Sequence, residues 1–579
     1  MNRALTAVAA AAVLGGCATM PDRASFTPST APASAPGPEA ANSVSTPTWV
    51  RGPQAGSPHL IVTIVIDQFS ATLFNQYRGR LPGGLHTLSE QGRVYQNGYQ
   101  SHAITETCPG HSTILTGASP DRTGIPSNNW TDRQTGGKHY CLAAPENTLA
   151  HGRDTDNGRV GPGQLKVTTL GDWLKAQSPE SRVFAVSGKD RGAINLAGHQ
   201  GRAFWLTEGF GFTTYVEPGQ DAAERLQPVA ALNARLASRL AEAPTWSYTS
   251  DACRALESDW VIDGQPYHAT VPPADLEFDT SPLEDEMTLD AAADLLDTQQ
   301  LGRRGVVDML GVSLSATDHI GHSYGQQGPE MCEQMHRLDA ALGAFLDKVS
   351  RVPGGVLVVL TADHGGSDIA ERMAAQGQPA ARRSDPGVLA QLNAEMKARF
   401  HLTADPLASG GSGLMVVGEG GVPMADAALR DRIAAAVGER VRADPRYAGA
   451  WTLTEVLASP RPPADLSPQE YTLLQRERLS AVAGRSPDIL LASSAGTSGR
   501  GRVGGSLSSH GSPWDYDRRV PIVFWSPGVT VGQERPLAIR TVDIAPTLAN
   551  VIGVTPADTV EGRCLDLGLF AAAPTCPAP

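Results

Sequence analysis

Residues 60–67 read Leu60-Ile61-Val62-Thr63-Ile64-Val65-Ile66-Asp67. The run is aliphatic and β-branched, with no polar residue at every second position. A strand with one wet face alternates, whereas a strand covered on both faces does not. The stretch therefore predicts a parallel strand beneath helices. Asp67 falls at its carboxyl end, where open α/β sheets place their sites.

The same pattern recurs along the chain. Val183-Phe184-Ala185-Val186-Ser187 leads into Gly188-Lys189-Asp190-Arg191, and the run from Gly305 to Leu314 leads towards Asp318. The run from Gly355 to Thr361 leads into Asp363-His364, and Pro521-Ile522-Val523-Phe524-Trp525 is a further apolar strand. Helical periodicity lies between, as from Thr169 to Ala176 and from Met331 to Val349. This alternation predicts an α/β protein, doubly wound on a mostly parallel central sheet. Two stretches interrupt it. Residues about 200–290 are acidic and irregular. Residues 371–485 carry a strand from Gly413 to Val417, a helix from Ala425 to Ala443 and a strand from Ala450 to Thr454. Both are read as insertions capping the active site. The catalytic core is then 57–370 with 486–579, the sheet resuming near Pro487-Asp488-Ile489.

The chain of 579 residues is 41% hydrophobic and only 18% charged, so it can bury a large core. Its formal net charge is -13, which argues against a nucleic-acid partner and requires any anion site to be built locally. Arg3 followed by an apolar run over 4–16 has the form of a signal peptide, too short to span a bilayer. Leu14-Gly15-Gly16-Cys17 resembles a bacterial lipoprotein cleavage box, giving a signal segment 1–17 and a lipid anchor on Cys17. The alternative is a plain secretory signal. Residues 18–56, rich in Pro, Ala, Ser and Thr, read as a flexible linker. Both readings place the protein outside the cytoplasm, in the periplasm or on the outer membrane of a Gram-negative bacterium, touching membrane only through that anchor. The remaining six cysteines show no C-x-x-C spacing and do not form a zinc site. Export permits disulfides, and Cys564 and Cys576 are close enough in sequence to pair.

The chemistry-bearing residues gather at predicted strand ends and in Gly-rich loops. Asp318 and His322 are four apart, Asp363 and His364 are adjacent, Asp67 ends the first strand, and His510 lies in Ser508-Ser509-His510-Gly511. Each alone has an ordinary reading as a cap, a turn or a surface loop. Together, three carboxylates and three imidazoles suit two zinc ions, each keeping an open position. A dinuclear site of this kind serves in-line phosphoryl displacement. The nucleophile is expected at a helix start. Thr105-Glu106-Thr107-Cys108-Pro109-Gly110-His111-Ser112 offers one, with Pro109 in the first turn. There the helix amino end would face a phosphate, and metal contact would activate the Thr107 hydroxyl. Cys108 is the rival nucleophile, disfavoured because no base for a thiol is apparent.

The order Asp67, Thr107-Cys108-Pro109-Gly110-His111, Asn128-Asn129, Asp318 with His322, Asp363-His364 and His510 resembles the alkaline phosphatase superfamily. Val542-Asp543-Ile544-Ala545-Pro546-Thr547-Leu548 looks like that superfamily's closing helix. The resemblance implies that Asp67, Asp363 and His364 hold the zinc beside Thr107, itself a ligand. Asp318, His322 and His510 then hold the leaving-group zinc. It implies two displacements through a phosphothreonine, with net retention at phosphorus. Two branches share a threonine nucleophile, the nucleotide pyrophosphatase/phosphodiesterases and the Thr-type alkaline phosphatases. Lys189 and Arg191 resemble the second branch, whose monoester substrates carry an extra charged oxygen. Asn128 is expected to donate to a nonbridging oxygen. The expected function is a zinc-dependent phosphate monoesterase. The alternatives are a phosphodiesterase of the same superfamily and a non-catalytic envelope lipoprotein that binds zinc or phosphate. A sulfatase is excluded because Pro109 directly follows Cys108 and no C-x-P-x-R core is present.

Overall fold

The computed structural model describes residues 56–576, apart from 151–157, 208, 243–244, 273–277, 532–533 and 572. The signal segment, Cys17 and residues 18–55 of the linker lie outside the described residues. Among those described, no helix is long and apolar enough to cross a membrane.

A ten-stranded sheet organises the chain. Its strands are β1 (Leu60–Ile66), β2 (Arg93–Tyr99), β3 (Val183–Ser187), β4 (Arg202–Thr207), β5 (Gly211–Thr213), β6 (Asp308–Leu314), β7 (Val356–Thr361), β8 (Arg519–Trp525), β9 (Glu534–Arg535) and β10 (Ile539–Arg540). The spatial order is β9-β2-β8-β7-β1-β6-β3-β4-β5, with β10 also on β2. From β7 to β4 all pairs are parallel. Strand β8 runs antiparallel to both neighbours, and β5 is antiparallel to β4. The fold is therefore the α/β, mostly parallel arrangement expected.

The unalternating apolar runs have a direct physical cause. Leu60, Val62, Ile64 and Ile66 of β1 enter one buried cluster, while Ile61 and Val65 enter the other. Val356, Val358 and Leu360 of β7 likewise oppose Leu357 and Val359. One face is covered by the helices Leu283–Thr298 and Pro329–Val349, the other by Thr107–Ile114, Asp190–Ala197 and Ile544–Ile552. Two of these, with Ala316–Tyr324, position the site; they are labelled α1 (Thr107–Ile114), α2 (Asp190–Ala197) and α3 (Ala316–Tyr324).

Three details differ from the sequence reading. Strand β4 pairs with β3 in parallel, so 202–213 belongs to the central sheet and not to an insertion. Only Ala203, Phe204 and Trp205 of β4 are buried and β5 is three residues long, so their apolar signal is short. The strand Ile489–Ser493 joins a separate four-stranded sheet with Leu407–Ser409, Gly413–Val416 and Tyr447–Thr452, and the central sheet returns only at β8. A buried apolar run has the same sequence in either sheet. Leu453 and Thr454 begin a helix, because Thr452 and Glu455 form a capping box that ends the strand.

Candidate active site

The parallel register sets the carboxyl ends of β7, β1, β6 and β3 side by side, pairing Val65 with Thr361, Ile66 with Leu314, and Ser313 with Ser187. Beyond those ends stand Asp363-His364, Asp67, Asp318 with His322 in α3, and Lys189 with Arg191 at the start of α2. The loop carrying His510 closes on them, its Nε2 3.4 Å from Asp318 Oδ1. His322 Nε2 lies 3.3 Å from the same oxygen, and His364 Nε2 is 3.3 Å from Asp67 Oδ1 and 3.5 Å from Asp363 Oδ2. The His364 and His510 rings stack at 3.7 Å between centroids. Candidate ligand atoms fall into two groups, Asp67–Asp363–His364 and Asp318–His364–His510, each with all its atoms within 4.8 Å of one another. His364 thus sits between them, and His322 completes the second through Asp318.

The donor chemistry fits metal cations. His364 Nδ1 donates to Gly365 O at 2.8 Å, His322 Nδ1 to Ser508 O at 2.9 Å and His510 Nδ1 to Thr105 O at 2.7 Å. A carbonyl only accepts, so each Nδ1 carries the hydrogen and each ring turns its Nε2, the atom left for a metal, towards carboxylate oxygens. That is the orientation of a metal-ligating histidine held by its outer partner. Asp67 Oδ1, Asp363 Oδ2 and His364 Nε2 are all buried without a hydrogen-bond partner, a costly arrangement unless a cation lies among them. They make up one of the two groups at these strand ends.

The carboxylates perturb one another. Burial and Asp318 oppose ionisation of Asp67, but Lys189, His364 and His111 outweigh them and hold its carboxyl at about 2. Asp318 is held well below the usual range, Lys189 and His322 overcoming burial. Asp363 is pushed up to about 7 by burial and by Asp67. At His510, burial is outweighed by Asp318, and the imidazole rises to about 9, so its proton competes with a metal for Nε2. Lys189 Nζ lies 2.6 Å from Asp67 Oδ2 and 2.5 Å from Asp318 Oδ2, bridging the two groups.

Helix α1 begins at Thr107, which is buried. Its first turn presses on Asp363: a Cβ on Gly110 would stand 2.1 Å from Asp363 O. His111 Nδ1 lies 3.0 Å from Thr107 O and 3.1 Å from Asp363 Oδ2, while its Nε2 meets Ser313 Oγ on β6 at 2.9 Å. Gly110 and His111 therefore reference the helix start to the first ligand group. Cys108 N donates to Asn128 Oδ1 at 2.7 Å, which turns the Asn128 NH2 away from that amide. Cys108 is bonded to Cys141, which removes it as a nucleophile, and Cys141 N donates to Asn128 O at 3.0 Å. The Cys564–Cys576 pair is present as expected, and Cys253 pairs with Cys332.

A model of the type I phosphodiesterase/nucleotide pyrophosphatase family matches residues 61–511, a span that holds all six ligand candidates with Thr107, Asn128, Lys189 and Arg191. The chain belongs to this family. Among its relatives, the alkaline phosphatase PhoK of a Sphingomonas species is 39% identical over 530 residues, which are 89% of this chain and 92% of that protein. The alkaline phosphatase PhoD of Zymomonas mobilis subsp. mobilis is 37% identical over 90% of this chain and 89% of its own. The crystal structure of wild-type alkaline phosphatase PafA superposes with a TM-score of 0.77 at 24% identity, covering 88% of this chain and 99% of that one, and bears out the fold.

Within this type I phosphodiesterase-family fold, several side chains around the expected ones escaped the sequence reading. Gln68 contacts both ligand groups, donating from Nε2 to Asp318 Oδ1 at 2.7 Å and from its backbone to Asp363 Oδ1 at 3.2 Å. Its adjacency to Asp67 was the only available signal. Tyr140 OH donates to Asp190 Oδ1 at 2.7 Å, and Arg191 N donates to the same oxygen at 2.7 Å. The Tyr140 hydroxyl also faces the Arg191 guanidinium. Asp517 Oδ2 accepts from Ser512 N at 2.9 Å and steadies the His510 loop. Nothing in one sequence links Tyr140 to Arg191 or Asp517 to His510.

Proposed function

We propose that this chain is a zinc-dependent alkaline phosphatase, hydrolysing phosphate monoesters through Thr107 at a dinuclear site. The observation that carries the reading is the placement of Lys189. Its ammonium lies between Asp67 and Asp318, one carboxylate from each ligand group, with Arg191 two residues on. The names of the relatives PhoK and PhoD support the same activity.

Asp67, Asp363 and His364 would hold one zinc, and Asp318, His322 and His510 the other. When bound, the ions supply Lewis acidity to the attacking and departing oxygens. The Thr107 hydroxyl, at the amino end of α1, attacks phosphorus where backbone N–H groups and the helix dipole favour phosphate. The alcohol departs, leaving a phosphothreonine that water hydrolyses by a second in-line displacement. Arg191 and the Asn128 NH2 hold nonbridging oxygens, and Lys189 offsets carboxylate charge at both groups. Export is part of the proposal. Three disulfides among the described residues suit an oxidising compartment, and the signal segment 1–17 with Cys17 would direct the chain there.

The test is steady-state hydrolysis of an aryl phosphate monoester and the matching diester, before and after chelation and with zinc returned. We expect monoester preference, loss with chelator and recovery with zinc. Thr107→Ala should abolish turnover, and Lys189→Ala with Arg191→Ala should depress monoester turnover far more than diester turnover. A diester preference in the wild type would move the chain to the phosphodiesterase branch. Zinc-independent turnover would overturn the metal assignment.

A further inference from the structure

We propose that Gln68 is a positioning residue that holds the second metal group in register with the first; this rests on the two-zinc reading above. Gln68 is buried and has a left-handed backbone, with φ at 63°. A non-glycine residue there carries strain, and such strain persists only where surrounding contacts over-determine it. Here they do. Its backbone N–H donates to Asp363 Oδ1 at 3.2 Å, tying it to the first group. Its side-chain Nε2 donates to Asp318 Oδ1 at 2.7 Å, the oxygen that His322 and His510 also face.

The amide cannot turn over. Asp318, held ionised, only accepts and so requires the Gln68 Nε2 on its side. That leaves Gln68 Oε1 facing away, where Gln326 Nε2 donates to it at 2.5 Å. Two glycines make room for this side chain. A Cβ on Gly321 would stand 1.9 Å from Gln68 Oε1, and one on Gly366 would stand 2.8 Å from Gln68 Cγ. Strained backbone, emptied space on two sides and a fixed amide converge on one contact, the Asp318 carboxylate. The contact orients that carboxylate for the group it shares with His322 and His510, by reference to a backbone already bound to Asp363. A hydrogen-bond partner outside the ligand shell typically contributes about 10- to 100-fold to metal affinity.

The experiment is zinc binding to the full chain across buffered free zinc, with bound zinc per chain read by mass spectrometry. The wild type should bind two ions. Gln68→Met keeps the length of the side chain but removes the donor. It should keep one ion at wild-type affinity and bind the other about 10- to 100-fold more weakly. Gln326→Met, which frees the amide without touching either group, should shift the same ion in the same direction by less. It serves as the test should Gln68→Met fail to fold. Unchanged binding of both ions in the variants would overturn the inference, as would an equal weakening of both. A wild-type chain that binds fewer than two ions would instead overturn the two-zinc reading on which the inference stands.

Discussion

Gly110→Ala tests whether the start of α1 must lie hard against Asp363. The added Cβ would stand 2.1 Å from the Asp363 carbonyl oxygen and 2.9 Å from the Asp363 Cβ. Carbon and carbonyl oxygen approach to about 3.3 Å without strain, so the helix has to retreat by about 1 Å. Asp363 is anchored at the end of β7 and cannot follow. Thr107, one turn earlier, moves with the helix. On the proposed reading, in which Thr107 is the nucleophile, a displacement of about 1 Å at its hydroxyl costs on the order of 100-fold in rate, or about 2.7 kcal/mol of barrier. The overpacking itself costs about 1–3 kcal/mol of stability. The assay is kcat/KM for an aryl phosphate monoester at saturating zinc, with Tm measured alongside. Gly163→Ala is the control, since a Cβ there would meet nothing within 4 Å. The expected result is a loss near 100-fold for Gly110→Ala with zinc content intact and little change for Gly163→Ala. A folded, zinc-loaded Gly110→Ala within threefold of wild type would refute the argument that this contact places the nucleophile.

Three further outcomes follow from the same geometry. Tyr140→Phe removes the hydroxyl that donates to Asp190 beside Arg191, and kcat/KM for the monoester should fall about tenfold. Diester turnover should change little, and equal losses on both substrates would show that Tyr140 does not act through Arg191. Replacing Cys108 and Cys141 with Ser opens a loop of sequence separation 33, and by loop-closure entropy the unfolding free energy should drop by about 4 kcal/mol; an unchanged denaturation midpoint would sink this. Glu477 is fully buried, both its oxygens lack hydrogen-bond partners, and burial pushes its carboxyl from 4.5 to about 8. Because the folded pKa is the higher one, its protonated form favours folding at low pH, and that contribution is lost as pH rises from 4.5 to about 8. Glu477→Gln should therefore lose less Tm than wild type between those limits, and parallel Tm profiles would contradict it.

The central sheet was legible in one sequence because its strands are covered on both faces. Ile61 and Val65 point to one cluster and Leu60, Val62, Ile64 and Ile66 to the other, so the apolar residues do not alternate with polar ones and Thr63 alone breaks the run. Asp67 and Asp363-His364 were legible for a related reason, since they stand just past the ends of such strands, whereas Asp318 with His322 and His510 were readable only as members of the whole set. Legibility failed where the signal is shared or non-local. Ile489–Ser493 is as apolar as a central strand yet pairs with Gly413–Val416 and Tyr447–Thr452. Tyr140 reaches Asp190 across 50 positions and Gln68 reaches Asp318 across 250, contacts that only the fold creates.

On the proposed reading, the charges of the site select the substrate class. Asp67, Asp318 and Asp363 contribute three negative charges when metal-bound, and Lys189 and Arg191 return two positive ones. Two divalent cations bring the site to a net charge of about +3. An alkoxide on Thr107 and a monoester dianion together cancel that charge, whereas the alkoxide with a diester monoanion leaves about one positive charge uncompensated in a buried site. Arg191 is the group that tips this balance. Lys189 is already committed to Asp67 and Asp318, while Arg191 is anchored to Asp190 through its backbone, and its guanidinium, beside the Tyr140 hydroxyl, is the group proposed to meet the substrate. Removing Arg191 should leave the site matched to a diester, so discrimination between the two ester classes should collapse chiefly through the monoester rate.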